Sequence, residues 1–252
     1  TVATTEGTET VEEEPLSIIE VPKNIDFVLA SSLNKVVYDN MDIDNIKGEL
    51  VVRDQKVSMN DLAMNLLDGS MIMNGYYETT NPKSPGFNYD LAITNFNVQT
   101  VVTTFNSIET MAPYAKSMKG SFNTSLKVNG VLDHEMMPDL NTLTGGGDMV
   151  TKSIKVEGLK SLDKLASALK NDKLNKLELN NANIKYSFKD GRVYTEPFDI
   201  KMGPVTGTMS GSNGFDQTLD NVMTLKVPSS ELGAGDAASK LNGQAGKLGM
   251  DL

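Results

Sequence analysis

Apolar and polar residues alternate with a period of two along most of the chain, the pattern of strands that bury one face. Phe122, Thr124, Leu126 and Val128 fall on one side of such a run, with Ser121, Asn123, Ser125, Lys127 and Asn129 on the other. Phe87, Tyr89, Leu91 and Ile93 repeat it against Asn88 and Asp90, and Ile184, Tyr186 and Phe188 against Lys185, Ser187 and Lys189. Asp68-Gly69, Asn74-Gly75, Asn129-Gly130, Asp190-Gly191 and Asn213-Gly214 punctuate the runs. Such dipeptides supply the positive φ of tight hairpins, so an antiparallel meander is expected.

Two segments leave the alternation. Val98, Val101, Val102, Phe105, Ile108 and Ala112 lie at helical spacing between Asn97, an N-cap residue, and Pro113, a stop. Leu159, Leu162, Leu165, Ala166 and Leu169 form a second stripe, free of β-branched residues. Each helix is expected to pack on the sheet. The fold class is therefore mostly β: a curved antiparallel sheet or half-barrel with two packed α-helices.

A likeness recurs at an offset of 136 residues. Asp54–Val57 matches Asp190–Val193, Leu62, Met64 and Leu66 match Phe198, Ile200 and Met202, and Gly75 matches Gly211. In both copies the alternation slips by one residue, after Met59 and after Thr195, as a β-bulge would make it. Pro197 sits at the second slip, a place where strands tolerate proline. The organisation expected is a disordered acidic tether over 1–22, a β domain over 23–230 that uses a strand-hairpin unit twice, and a Gly/Ala-rich tail over 231–252. The tail ends without a strand, which suggests that the native chain continues.

Charge narrows the function classes. The net charge is −10, and Glu6, Glu9, Glu12, Glu13, Glu14 and Glu20 carry six of those charges before the first lysine, Lys23. No concentrated basic face is available for nucleic acid or for an anionic membrane surface. No stretch approaches the roughly 20 apolar residues that span a bilayer. The absence of cysteine removes thiolate chemistry and disulfides.

Candidate chemistry is sparse. The one histidine, His134, stands beside Glu135 and shortly before Pro138, which reads as a loop rather than a general base. Asp39, Asp42 and Asp44 form the nearest acidic cluster, but lack a calcium-loop pattern and read as a solvated turn. Thr144-Gly145-Gly146-Gly147-Asp148 lacks the following helix and Lys-Ser/Thr pair of a phosphate loop and reads as a flexible connection. There are 14 methionines, among them Met59, Met64, Met71, Met73, Met202, Met209 and Met223 in expected strands. Methionine adapts to irregular apolar space, which suits either an ordinary core or a surface that accepts acyl chains.

Taken in order, Gly120–Leu132, Met137–Gly147, Leu162–Leu169, Asp190–Val193 with Pro197-Phe198, and Met202–Gly211 resemble the C-terminal region of AsmA-like proteins, in the style of their Bacteroidetes branch. The likeness spans residues 25–230 and rests on the order of strand-and-glycine patterns rather than on one motif. It implies a periplasmic part of a protein anchored in the bacterial inner membrane, with a role in outer-membrane biogenesis and phospholipid transport along a curved sheet with an apolar floor. No anchor is present in this sequence. An acyl chain in water costs about 0.8 kcal/mol per exposed CH₂, and an apolar sheet face removes that cost without catalysis. The expectation is a non-enzymatic module with no cofactor and no metal, whose partners are phospholipid or another acyl lipid and other envelope proteins. The candidate lipid groove is Leu62, Met64, Leu66, Phe122, Leu126, Val128, Phe198, Ile200 and Met202. Alternation does not separate an open groove from a closed core at these positions. The alternative function is an envelope protein- or carbohydrate-binding module, against which the lack of Trp and the 6% aromatic content weigh.

Overall fold

The computed structural model describes residues 18–38, 41–105, 108, 112, 114–169 and 171–228. They form one curved, twelve-stranded antiparallel sheet that does not close into a barrel, with two α-helices. The strands run β1 (Phe27–Tyr38), β2 (Met41–Arg53), β3 (Lys56–Leu66), β4 (Gly69–Glu78), β5 (Gly86–Asn97), β6 (Met118–Val131), β7 (Thr144–Glu157), β8 (Lys176–Leu179), β9 (Asn183–Lys189), β10 (Arg192–Met202), β11 (Val205–Gly214) and β12 (Leu219–Lys226). Each pairs with its sequence neighbour, except that β8 and β9 together occupy one position between β7 and β10. The meander read from the turn dipeptides is the observed connection.

Thr151 holds the interrupted position together. Its hydroxyl donates to the Leu179 carbonyl (2.8 Å) and accepts the Ala182 N–H (3.0 Å), the two backbone groups that the break would leave unpaired. Bulges elsewhere are closed in a similar way. Asp61 on β3 takes φ +46°, and its N–H donates to Asn74 Oδ1 on β4 (2.8 Å). Asn95 on β5 takes φ +60°, and its N–H donates to Asn123 Oδ1 on β6 (2.8 Å).

The register of β3 against β4 shifts between Met59 and Leu62, and that of β10 against β11 between Thr195 and Phe198, where the alternation slips. At the 136-residue offset β3 falls on β10 and β4 on β11, end to end. Gly75 and Gly211 take φ of +137° and +141° at matching points.

Helix α1 (Val98–Thr104) begins where the cap predicts: Asn97 Oδ1 accepts the N–H groups of Gln99 and Thr100. It ends earlier than the sequence suggests. Phe105 is extended and exposed, and only Val98, Val101 and Val102 are buried from the helix. The run Val101-Val102-Thr103-Thr104 is β-branched throughout, which weakens helix propagation. Ile108 and Ala112 still pack on the core, while Pro113 lies outside the described residues. Helix α2 (Lys160–Leu169) forms as expected and buries Leu162 and Ala166; the side chains of Leu165 and Leu169 lie outside the description.

Three expectations need correction. The Gly145–Gly147 segment is not a flexible connection: it is the start of β7, paired to β6 on one side and β9 on the other. A Cβ at Gly145 would collide with the Lys127 carbonyl oxygen, one at Gly146 with that of Tyr186, and one at Gly147 with that of Ser125. The glycines thus permit a backbone approach that other residues forbid. Asn74-Gly75 and Asn129-Gly130 are likewise inside β4 and β6 rather than in turns. Finally, the tether is shorter than 1–22 within the described residues: Val21 is buried, and its N–H donates to Thr79 Oγ1 (2.9 Å). Residues 1–17 and the tail 231–252 lie outside the description.

Candidate apolar site on the inner sheet face

Inward-facing side chains can be followed across the sheet by register. One row runs Leu62, Met73, Leu91, Leu126, Gly147, Tyr186 and Thr195 from β3 to β10. The next runs Leu50, Met59, Gly75, Tyr89, Val128, Gly145, Phe188 and Val193. A third runs Met64, Met71, Ile93, Thr124, Met149 and Ile184.

This face is closed at both ends. At one end Leu62, Met64, Leu66, Phe96, Phe122, Ile200 and Met202 share a buried cluster with Val98, Val101 and Val102 of α1 and Leu162 and Ala166 of α2. At the other, Phe87 and Phe188 pack with Leu143, and Leu132 and Leu140 of the β6–β7 connection cover them. Between the two lies a band of half-buried apolar side chains: Leu50, Met73, Tyr89, Leu91, Leu126, Val128, Met149, Phe198, Met209 and Met223.

The nine groove candidates therefore divide. Leu62, Met64, Leu66, Phe122, Ile200 and Met202 are core, with Met202 0% exposed. Between the groove and the core left open by alternation, these six fall in the core: they are buried in one cluster with residues of both helices. Leu126, Val128 and Phe198 belong to the half-buried band. The reading missed Leu50, Met73, Tyr89, Leu91, Met149, Met209 and Met223 as members of that band. Their alternation was visible, but which end of the face the helices would cover was not.

Thr124 and Tyr186 on this face are tied to each other. Thr124 Oγ1 lies 2.8 Å from the Tyr186 hydroxyl and donates or accepts there, and it reaches the Asp148 carbonyl at 2.9 Å. Burial pushes the Tyr186 phenol above its ordinary value, and pushes that of Tyr89 up to about 12. An acid whose pKa is raised by folding stabilises the fold below its unfolded pKa and loses that contribution as pH rises through the folded one. For Tyr89 the loss falls between pH 10 and about 12 and amounts to about 2–3 kcal/mol. Denaturant unfolding across that range is expected to show the decline in the native chain, with Tyr89→Phe removing the Tyr89 share and leaving that of Tyr186.

The other sequence candidates are peripheral. His134 is exposed in the turn after β6, 3.6 Å from Glu135. Asp42 and Asp44 are on β2 rather than in a turn, with Asp42 paired to Lys35 at 2.7 Å; Asp39 lies outside the described residues. Among the described residues no group of three or more His, Asp or Glu is placed to hold a metal ion. A shallow cleft of about 580 Å³ opens at the far end, between Leu132, Leu140 and Phe215, with Lys83, Asp133 and Asp216 on its rim. It lies outside the apolar band.

Comparison with protein-family models, with curated proteins and with solved structures finds no match to this chain.

Proposed function

We propose that the chain is an AsmA-like, non-enzymatic module on the periplasmic side of the bacterial inner membrane. In this reading it handles phospholipid or another acyl lipid during outer-membrane biogenesis. The single observation that carries the proposal is the half-buried apolar band between two closed clusters. An apolar surface lined by Met73, Met149, Met209 and Met223 offers an acyl chain deformable contacts along its length. At about 0.8 kcal/mol per CH₂, burying eight methylenes supplies about 6 kcal/mol before ordering costs. No proton transfer or bond-breaking is required of the protein. The sheet curves without closing, so a chain can enter from the side rather than through a barrel mouth.

Of the nine candidates, Leu126, Val128 and Phe198 lie in the band, so the test moves from Met64 to Leu126. Native mass spectrometry of protein purified from bacterial cells is expected to detect co-purifying phospholipid. Leu126→Asp is expected to reduce the lipid-bound fraction at least tenfold while keeping the wild-type circular dichroism. Lipid-free wild-type protein from several preparations, with glycan binding instead, would favour the carbohydrate-binding alternative.

A further inference from the structure

We infer that the β1 edge is a self-association surface: two copies pair β1 against β1 in antiparallel fashion about Ser31 and continue the sheet from one copy into the next. The inference stands on the sheet edge and does not depend on lipid binding.

The internal likeness of the fold shows what β1 lacks. β1 pairs with β2 in the register in which β7 pairs with β8 and β9. A shift of 118 residues in the first strand and 136 in the second turns Phe27–Val52 into Gly145–Phe188, and Val36–Ile43 into Ile154–Leu179. The far edge of β7 is covered along its length by β6. The far edge of β1 has no partner strand among the described residues.

That edge is twelve residues long and carries only one of the devices that blunt an edge. It has no proline, no bulge and one charge, Lys35. Phe27, Leu29 and Leu33 are 46%, 46% and 48% exposed, and Val28 and Val37 are 55% and 64% exposed. By comparison β12, the opposite edge, is eight residues long and has Asp220 and Lys226 near its ends.

The sequence of β1 is close to self-complementary. Pairing about Ser31 sets Leu29 opposite Leu33 of the second copy, Leu33 opposite Leu29, and Ala30 opposite Ser32. Phe27 then faces Lys35, a cation over an aromatic ring, and no like charges meet. Over Leu29–Leu33 the alternation of the two copies coincides, so their apolar faces join there. A β12-to-β1 contact is poorer. Ten antiparallel steps make these two strands point the same way, so their pairing would be parallel and would propagate without closing.

The chain has no cysteine, so a Ser31→Cys variant can form a disulfide only between copies. Directly opposed residues in an antiparallel pair have Cα atoms about 4.5–5.5 Å apart, inside the disulfide range. Sedimentation of the wild-type chain is expected to show a concentration-dependent dimer. Oxidised S31C is expected to run as a covalent dimer, while V222C on the opposite edge stays monomeric at the same concentration. Leu29→Lys with Leu33→Lys sets lysines opposite each other and is expected to weaken the dimer at least tenfold without moving the thermal midpoint of the monomer. A wild-type chain that remains monomeric up to its solubility limit, or equal cross-linking of S31C and V222C, overturns the inference. Should the double variant misfold, the S31C and V222C comparison decides the matter alone.

Discussion

Replacing Gly147 with valine is expected to destabilise the protein by about 3 kcal/mol or more, the upper end of over-packing effects. For a chain of this size that is a fall of about 6–12 °C in the thermal midpoint. Gly147 is paired on both sides, to Leu126 of β6 and Tyr186 of β9. A Cβ there meets the Ser125 carbonyl oxygen, and its next contact is the Tyr186 hydroxyl at 3.0 Å. The first obstacle is backbone inside a sheet, which cannot swing away as a side-chain tip can. The cost therefore falls on the β6–β7–β9 pairing itself. Gly86→Ala serves as the control. Its Cβ would meet only the flexible Glu78 side chain, at 3.3 Å, and the expected change is below about 1 kcal/mol. Differential scanning calorimetry of the two variants distinguishes a bend that requires glycine from a tolerant strand.

Met202→Ala is expected to cost about 3 kcal/mol, within the range for truncating a buried methionine. Met202 is 0% exposed and ends β10, beside Val205, also 0% exposed, at the start of β11. Truncation leaves a void that the surrounding sheet fills only in part. Met209 is inward-facing, pairs with Phe198 and Met223, and is half-buried. Met209→Ala is expected to cost less than half as much, because water already reaches that site. Equilibrium unfolding in urea measures both. Equal costs would place Met209 in the same closed interior as Met202 and remove the distinction between core and band.

What the sequence disclosed follows from what it encodes locally. Alternation identified the inward face of β5, β6 and β9, and the slips after Met59 and Thr195 fall at register shifts. The Asn97 cap and the α2 stripe marked real helix features. Glycines were read poorly because a dipeptide such as Asn74-Gly75 has two uses. In a turn it supplies positive φ. In β4 it accommodates a bulge on the neighbouring strand: Asn74 caps the Asp61 N–H, and Gly75 admits the Asn88 carbonyl. Only knowledge of the partner strand separates these. The same limit applied to the candidate site. Alternation assigned Leu62 and Leu126 to one face correctly, but which segments pack over that face is set by α1, α2 and the β6–β7 connection, outside the strand that carries the pattern. Residues buried by such cover and residues left half-open carry the same local pattern.

Methyl-detected NMR of the chain with labelled methionines tests the central claim most directly. The 14 methionines report separately on band, core and surface. On titration with a phospholipid, the Met73, Met149, Met209 and Met223 methyl signals are expected to shift most. Met202, closed in the core, is expected to shift least. Shifts confined to exposed Met137, or none at any methionine, would contradict an acyl chain lying along the inner face.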